Sequence, residues 1–225
     1  GNVDLYAVVF NRTTETDLTE DQLPQVDIYK YKQVIFVGDS RTEFMENVLT
    51  GMGESATKNV KFVCSAGKGL DWFTTTGWAQ LYSIVQHDSN SILSKKTAVI
   101  FNFGVNDLSK SADYAEYYNW IAPQLKSKGC ELYFMSVNPV NRLMLPNAGR
   151  ADRSEAAVRS FNQYMKANLS SAYTYIDMYS YLKSTGYSFA SDHYGTGTVD
   201  DGLHYTTRTY KRIFAKCMDS LRVPA

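Results

Sequence analysis

The sequence carries no excess charge of either sign, since 23 lysine and arginine residues stand against 23 aspartate and glutamate. No overall field is available to gather nucleic acid or an anionic membrane surface, and no polyanion partner is expected. Long apolar runs are also missing. Runs such as Val34 to Val37 and Ala98 to Phe101 fall far short of the roughly 20 residues that cross a bilayer as a helix, so no membrane span is expected. Cysteine is scarce: Cys64, Cys130 and Cys217 are odd in number, far apart and form no C-x-x-C pair. That argues against a disulfide framework and a zinc site, and the three read as small core residues. There is no internal repeat and no low-complexity segment. No basic segment followed by an apolar one opens the chain, so any export signal is expected to be gone already. Histidine occurs only at His87, His193 and His204, which narrows any search for an imidazole base.

What remains is an ordinary globular composition, 44% hydrophobic and 20% charged. A chain of 225 residues buries roughly three quarters of its unfolded surface, enough for one sizeable core. One domain over residues 1–225 is expected, with residues 1–33, which are polar and weakly periodic, as an extension packed on it. Short β-rich apolar runs alternate with helical segments, the order that a parallel sheet with crossover helices requires, so the class is α/β. The strand candidates are Val34 to Val37, Val60 to Cys64, Ala98 to Phe103, Glu131 to Val137 and Tyr173 to Ile176, each apolar enough to be buried on both faces. Helical stripes follow from Tyr114, Tyr117, Tyr118, Ile121 and Leu125, and from Ala157, Phe161, Tyr164 and Met165. Pro123 should kink or shorten the first of these. The last stripe, Tyr210, Ile213, Phe214, Cys217, Met218 and Leu221, marks an amphipathic terminal helix capped at Thr206 or Thr207.

Four corners carry residues with chemistry. The first strand runs into Gly38-Asp39-Ser40-Arg41-Thr42, which puts a hydroxyl at a strand-to-helix junction, where unpaired N–H groups suit an anion. The same three residues also suit a plain turn. Beyond the second strand lies Ser65-Ala66-Gly67-Lys68-Gly69-Leu70, a turn whose glycines let backbone approach a ligand closely. It is not a Walker A loop, because Gly69 follows Lys68 where Ser or Thr is required. Beyond the third strand, Gly104-Val105-Asn106-Asp107 puts an amide where it either donates to a developing oxyanion or caps the next helix. Last comes Asp200-Asp201-Gly202-Leu203-His204-Tyr205-Thr206. The three-residue spacing lets Asp201 hold one imidazole nitrogen of His204 and leaves the other free to take a hydroxyl proton.

Taken in order, these blocks, spanning residues 38 to 204, resemble those of the SGNH/GDSL serine hydrolase family. The resemblance implies a flavodoxin-like three-layer α/β/α sandwich on a five-stranded parallel sheet, without the Gly-x-Ser-x-Gly elbow, which is absent here. It also implies roles. Ser40 matches the nucleophile, His204 the general base and Asp201 the orienting acid. The Ser40 N–H, a glycine N–H and the Asn106 side chain match the oxyanion hole. Gly69 is favoured over Gly67, although two glycines so close together depart from the usual spacing. The mechanism implied is ester cleavage through an acyl-serine, which needs no metal or organic cofactor.

The substrate class stays broad: a small-molecule or carbohydrate ester, with a small acyl group such as acetyl on a sugar preferred. Trp72 and Phe73 beyond the glycine corner, and Tyr205 beside His204, are expected to offer aromatic faces to it. Pro139 to Arg150 and Gly186 to Val199 are long enough to be loops over the site. An acyltransferase would use the same residues, and a non-catalytic carbohydrate-binding or adhesion module would keep the fold alone. A tyrosine-rich, disulfide-poor chain suits a secreted or surface protein of a bacterium.

Overall fold

A computed structural model describes residues 15–86 and 95–221. Five parallel strands, β1 (Tyr31–Gly38), β2 (Val60–Cys64), β3 (Lys96–Asn102), β4 (Cys130–Met135) and β5 (Tyr173–Ile176), form one sheet in the order β2-β1-β3-β4-β5. The helices are α1 (Ser40–Met52), α2 (Trp78–Gln86), α3 (Ser111–Lys126), α4 (Glu155–Asn168), α5 (Met178–Thr185) and α6 (Thr207–Ser220). One turn of α-helix, Leu70–Trp72, and a π-helical turn, Phe73–Gly77, lead into α2.

Alternation along the central strands divides the core into two layers. Ile35, Val37, Val99, Phe101, Leu132 and Phe134 face α2, α3 and α4. Val34, Phe36, Ala98, Ile100, Tyr133 and Met135 face α1, α5 and α6. The result is a three-layer α/β/α sandwich with the flavodoxin-like strand order. The chain leaves β1 on one side to build β2 and returns to build β3 on the other. A crevice therefore opens beyond the carboxyl ends of β1 and β3, the place where open parallel sheets bind ligands.

Several sequence expectations shift. Strands β3 and β4 begin and end earlier than expected, before Phe103 and Val137. The edge strands are not covered on both faces, since Lys61 of β2 and Thr174 of β5 are exposed. Among the described residues each has a neighbour on one side only, and its helices cover it incompletely. Helix α4 buries Val158, Phe161, Asn162 and Met165, while Tyr164 is exposed and Ala157 half-buried. Asn162 holds this polar core position because its amide pairs with both backbone groups of Val137, at 2.8 and 2.9 Å. Helix α3 runs through Pro123 as far as Lys126, with Ile121, Ala122 and Leu125 buried around the proline as anchors. Cys130 and Cys217 are buried, but Cys64 is half-exposed and its thiol donates to Glu46 at 3.4 Å.

Strand β1 starts at Tyr31, inside the stretch expected to be extension. Residues 1–14 of that stretch, like His87, lie outside the described residues. Leu23 and Val26 are buried against the α1/α6 side of the sheet. The Glu15 carboxylate is buried too, accepting from Arg212 at 2.9 Å, from Ser188 at 2.8 Å and from Thr209.

Candidate active site

Gly38 ends β1 where nothing larger fits, because a Cβ would collide with the Thr42 side chain and the Asn102 carbonyl. Asp39 then caps α1: its carboxylate accepts from Arg41 N–H at 2.9 Å, and its carbonyl accepts from Thr42 and Glu43 N–H, both at 3.0 Å. Ser40, the first residue of the helix, is thereby fixed at the mouth of the crevice with its own N–H unclaimed by the cap.

The turn before α6 brings the partner groups. Gly202 adopts φ +68°, a left-handed conformation that glycine tolerates best. This bends the chain so that Asp201 Oδ1 accepts from Leu203 N–H at 2.9 Å and His204 N–H at 2.8 Å. Its other oxygen lies 2.6 Å from His204 Nδ1, and His204 Nε2 lies 2.9 Å from Ser40 Oγ. Ser40, Asp201 and His204 thus form one continuous hydrogen-bonded chain. All three are buried, Asp201 with no exposure at all. Phe44 of α1 packs on the His204 ring at 4.4 Å between centroids and on His193 at 4.5 Å, so His193 lies behind that phenyl ring.

Burial moves the titrations in ways the hydrogen bonds only partly offset. His204 sits below its ordinary value because burial disfavours imidazolium; Asp201 opposes this, and the Arg41 and Arg150 charges add to it. Asp201 is pushed up by burial, yet its bonds to His204 and to two backbone N–H groups hold it below the usual carboxylate range. Asp39 is pushed up to about 6 by burial, its bond to Arg41 N–H notwithstanding.

The glycine corner and the Asn106 corner meet. Asn106 Nδ2 donates to the Lys68 carbonyl at 2.8 Å, and Asp107 Oδ2 accepts from Leu70 N–H at 2.8 Å. The peptide on one side of Gly69 is held by Asn106 and the amide on the other by Asp107, which itself accepts from the Tyr114 hydroxyl at 2.7 Å. A Cβ on Gly69 would strike the Asp107 carboxylate, so the brace requires glycine there. Gly67 has φ +72° and open space around its Cα, so it makes the turn. Asn106 caps no helix; Asp107 precedes the following 3-10 turn, Leu108–Lys110.

The aromatic expectations need correction. Tyr205 is in the core: its hydroxyl donates to the Pro139 carbonyl at 2.6 Å and its ring stacks on Phe189, so it has no face to offer a substrate. Phe73 is likewise buried. Trp72, packed against Phe103, is only half-buried. The loop from Pro139 to Arg150 packs against the Asp201 turn, through Asn141 N–H to Gly202 O at 2.8 Å, Asn147 to Asp200 O at 3.2 Å and Arg150 to Asp201 at 3.3 Å. The loop from Gly186 to Val199 braces the same turn from the other side, where Ala190 N–H donates to His204 O at 2.8 Å.

Sequence reasoning missed two buried or half-buried guanidinium groups. Arg41 donates to the carbonyls of Leu203 at 2.8 Å, Asn138 at 2.7 Å and Pro139 at 2.7 Å, and lies 4.9 Å from the Tyr205 ring centroid. Arg153 donates to the carbonyls of Val105 at 2.7 Å and Ala151 at 2.9 Å, and to Asn106 Oδ1 at 2.9 Å. Most of their partners are backbone oxygens, many of them distant in the chain, and no residue spacing announces such bonds.

The comparisons with known proteins bear on the family and the fold. The sequence profile of the GDSL-like lipase/acylhydrolase family matches residues 34–217. A comparison with curated proteins finds no match. Among solved structures, a protein of Slackia heliotrinireducens assigned to the SGNH hydrolases superposes with a TM-score of 0.57 at 12% identity, over 85% of this chain and 100% of that one. An acetyl xylan esterase superposes with a TM-score of 0.56 at 12% identity, also over 85% of this chain and 100% of that one. At such identities these two likenesses show the fold. The profile match runs from β1 into α6 and takes in Ser40, the glycine corner, Asn106 and His204, and on that span the chain belongs to the GDSL-like lipase/acylhydrolase family of ester hydrolases.

Proposed function

We propose that the protein is a serine esterase that hydrolyses a carboxylic ester through an acyl-Ser40 intermediate. The observation that carries this reading is the buried chain from Asp201 through His204 to Ser40, with contacts of 2.6 and 2.9 Å. A carboxylate on Nδ1 keeps the proton there and leaves Nε2 as the acceptor. As Ser40 Oγ bonds to the ester carbon, its proton passes to Nε2. Collapse of the tetrahedral oxyanion breaks the bond to the alcohol, which leaves with that proton. Water then attacks the acyl-serine by the same route, releasing the acid and restoring Ser40.

Three donors serve the oxyanion in this reading. The Ser40 N–H is the first amide of α1, free of the Asp39 cap. The Gly69 N–H belongs to the peptide whose carbonyl, Lys68 O, Asn106 holds, and Asp107 holds the peptide on the other side of that glycine. Asn106 contributes the second hydrogen of its NH2 group, the first being spent on the Lys68 carbonyl. Donors fixed before reaction need no reorganisation when charge develops on oxygen, which is the main source of their effect.

The substrate we infer is a small acyl ester, acetyl first, on a carbohydrate. The fold shared with an acetyl xylan esterase and the half-buried Trp72 beyond the glycine corner support this. A serine-directed phosphonate tests the nucleophile: it should abolish esterase activity and, by peptide mass spectrometry, label Ser40. Label on another serine of an inactivated protein would refute the assignment. Turnover of p-nitrophenyl acetate through longer acyl esters and of acetylated xylan, with and without an acceptor alcohol, tests acyl size, alcohol part and acyl transfer.

A further inference from the structure

The Asn106 amide is gripped from both ends. A guanidinium can only donate, so the amide oxygen must face Arg153 at 2.9 Å. A carbonyl can only accept, so the amide nitrogen must face Lys68 O at 2.8 Å. Together the two contacts fix which end of the side chain is nitrogen, and they fix the plane of the amide. They therefore fix the direction of the remaining N–H. Arg153 is itself pinned by two backbone carbonyls, one of which, Val105 O at 2.7 Å, belongs to the residue just before Asn106. Helix capping explains none of this, because Asn106 caps nothing.

We propose that Arg153 is a positioning residue for the oxyanion hole, holding the Asn106 amide so that its free N–H is aimed and polarised for the developing oxyanion. A charged donor on Oδ1 draws electron density from the amide and strengthens N–H donation at the other end. The inference rests on the esterase reading and on the role of Asn106 within it. A merely structural Arg153, bolting residues 151–153 to the turn beyond β3, would show in stability and leave turnover of the folded enzyme unchanged.

The test is a double-mutant cycle on p-nitrophenyl acetate hydrolysis, with kcat and KM measured separately and thermal midpoints recorded on the same preparations. Asn106→Ala should lower kcat by about a hundred- to a thousandfold, as loss of one oxyanion donor does. Arg153→Met should lower kcat by about ten- to a hundredfold with KM within about twofold, the cost of a misaligned catalytic group. Combining them should cost hardly more than Asn106→Ala alone, because Arg153 has nothing left to aim. Arg153→Lys keeps the cation but not the fork, should fall between wild type and Arg153→Met, and carries the cycle if the methionine variant does not fold. Two results overturn the proposal while leaving the esterase reading intact: normal kcat in the folded Arg153 variants, or losses that multiply in full in the double variant. Normal kcat in Asn106→Ala would instead remove Asn106 from the oxyanion hole, and the role of Arg153 with it.

Discussion

Exchanging Asp201 for asparagine keeps the shape of the side chain and inverts one hydrogen bond. Asp201 Oδ1 accepts from two backbone N–H groups, at 2.9 and 2.8 Å, so in Asp201→Asn the amide oxygen must stay there and the NH2 must turn to His204 Nδ1. Two donors would then meet across a contact that measures 2.6 Å in the native protein. The relief open to the ring is to carry its proton on Nε2, and an Nε2–H facing Ser40 cannot take the hydroxyl proton. The NH2 group would also face Arg150, which the carboxylate now meets at 3.3 Å. In a serine triad this exchange costs about 10⁴ in kcat with geometry preserved. A fall of that order is expected at pH 7 with KM little changed. Stability should drop by about 1.5–3 kcal/mol for the lost charge-assisted bond. The assay is steady-state hydrolysis of p-nitrophenyl acetate, with a crystal structure or histidine NMR to confirm that the ring stays in place. A kcat within tenfold of wild type in a folded variant would refute the tautomer argument and, with it, the role assigned to Asp201.

Because burial holds His204 below its ordinary value, kcat/KM should rise with pH through a midpoint below about 6.5, the value of a free histidine; a midpoint above that would contradict the burial argument. Arg150→Met removes a cation that disfavours imidazolium, so this limb should move to higher pH, and a shift to lower pH would be incompatible with that account. Stability should follow the same direction. A histidine with a depressed folded value loses stability as pH falls below about 6.5, and Asp201, also depressed, loses its contribution as pH falls through its folded value; melting curves from pH 8 down to pH 4 check both. Arg41→Met would leave three buried carbonyls without their donor, costing about 3 kcal/mol and lowering the melting point by roughly 6–12 °C; a change below about 2 °C would show that water replaces the guanidinium.

What the sequence revealed and what it hid divide along a physical line. Ser40, Asn106 and His204 stand at corners because strands and helices have periodic signatures, and residues at the junctions are found by counting. Asp201 and His204 are three residues apart, so their contact follows from local turn geometry. Those side chains do meet in the structure. Arg41 and Arg153 escape this kind of counting, since most of their partners are backbone oxygens, among them ones 162, 97, 98 and 48 positions away. The direction of Tyr205 does not follow from adjacency to His204: neighbours on an extended segment point to opposite sides, and here the tyrosine turns into the core. The buried face of α4 departs from its apolar stripe for a related reason. An asparagine that satisfies both backbone groups of Val137 outcompetes a tyrosine for a core position, a choice that hydrophobic periodicity cannot register.

Arg41 and Arg153 attach almost wholly to peptide oxygens, and a peptide oxygen is the same whatever side chain its residue bears. Even Pro139 serves, since proline gives up its N–H but keeps its carbonyl. The scaffold around Ser40 and His204 is in this sense blind to the identity of the residues it grips. The side chains of Asn138, Pro139 and Leu203, buried as they are, take no part in the three bonds to the guanidinium. The grip on the turn that carries His204, 2.9 Å from Ser40, thus depends on the course of the backbone rather than on the side chains along it.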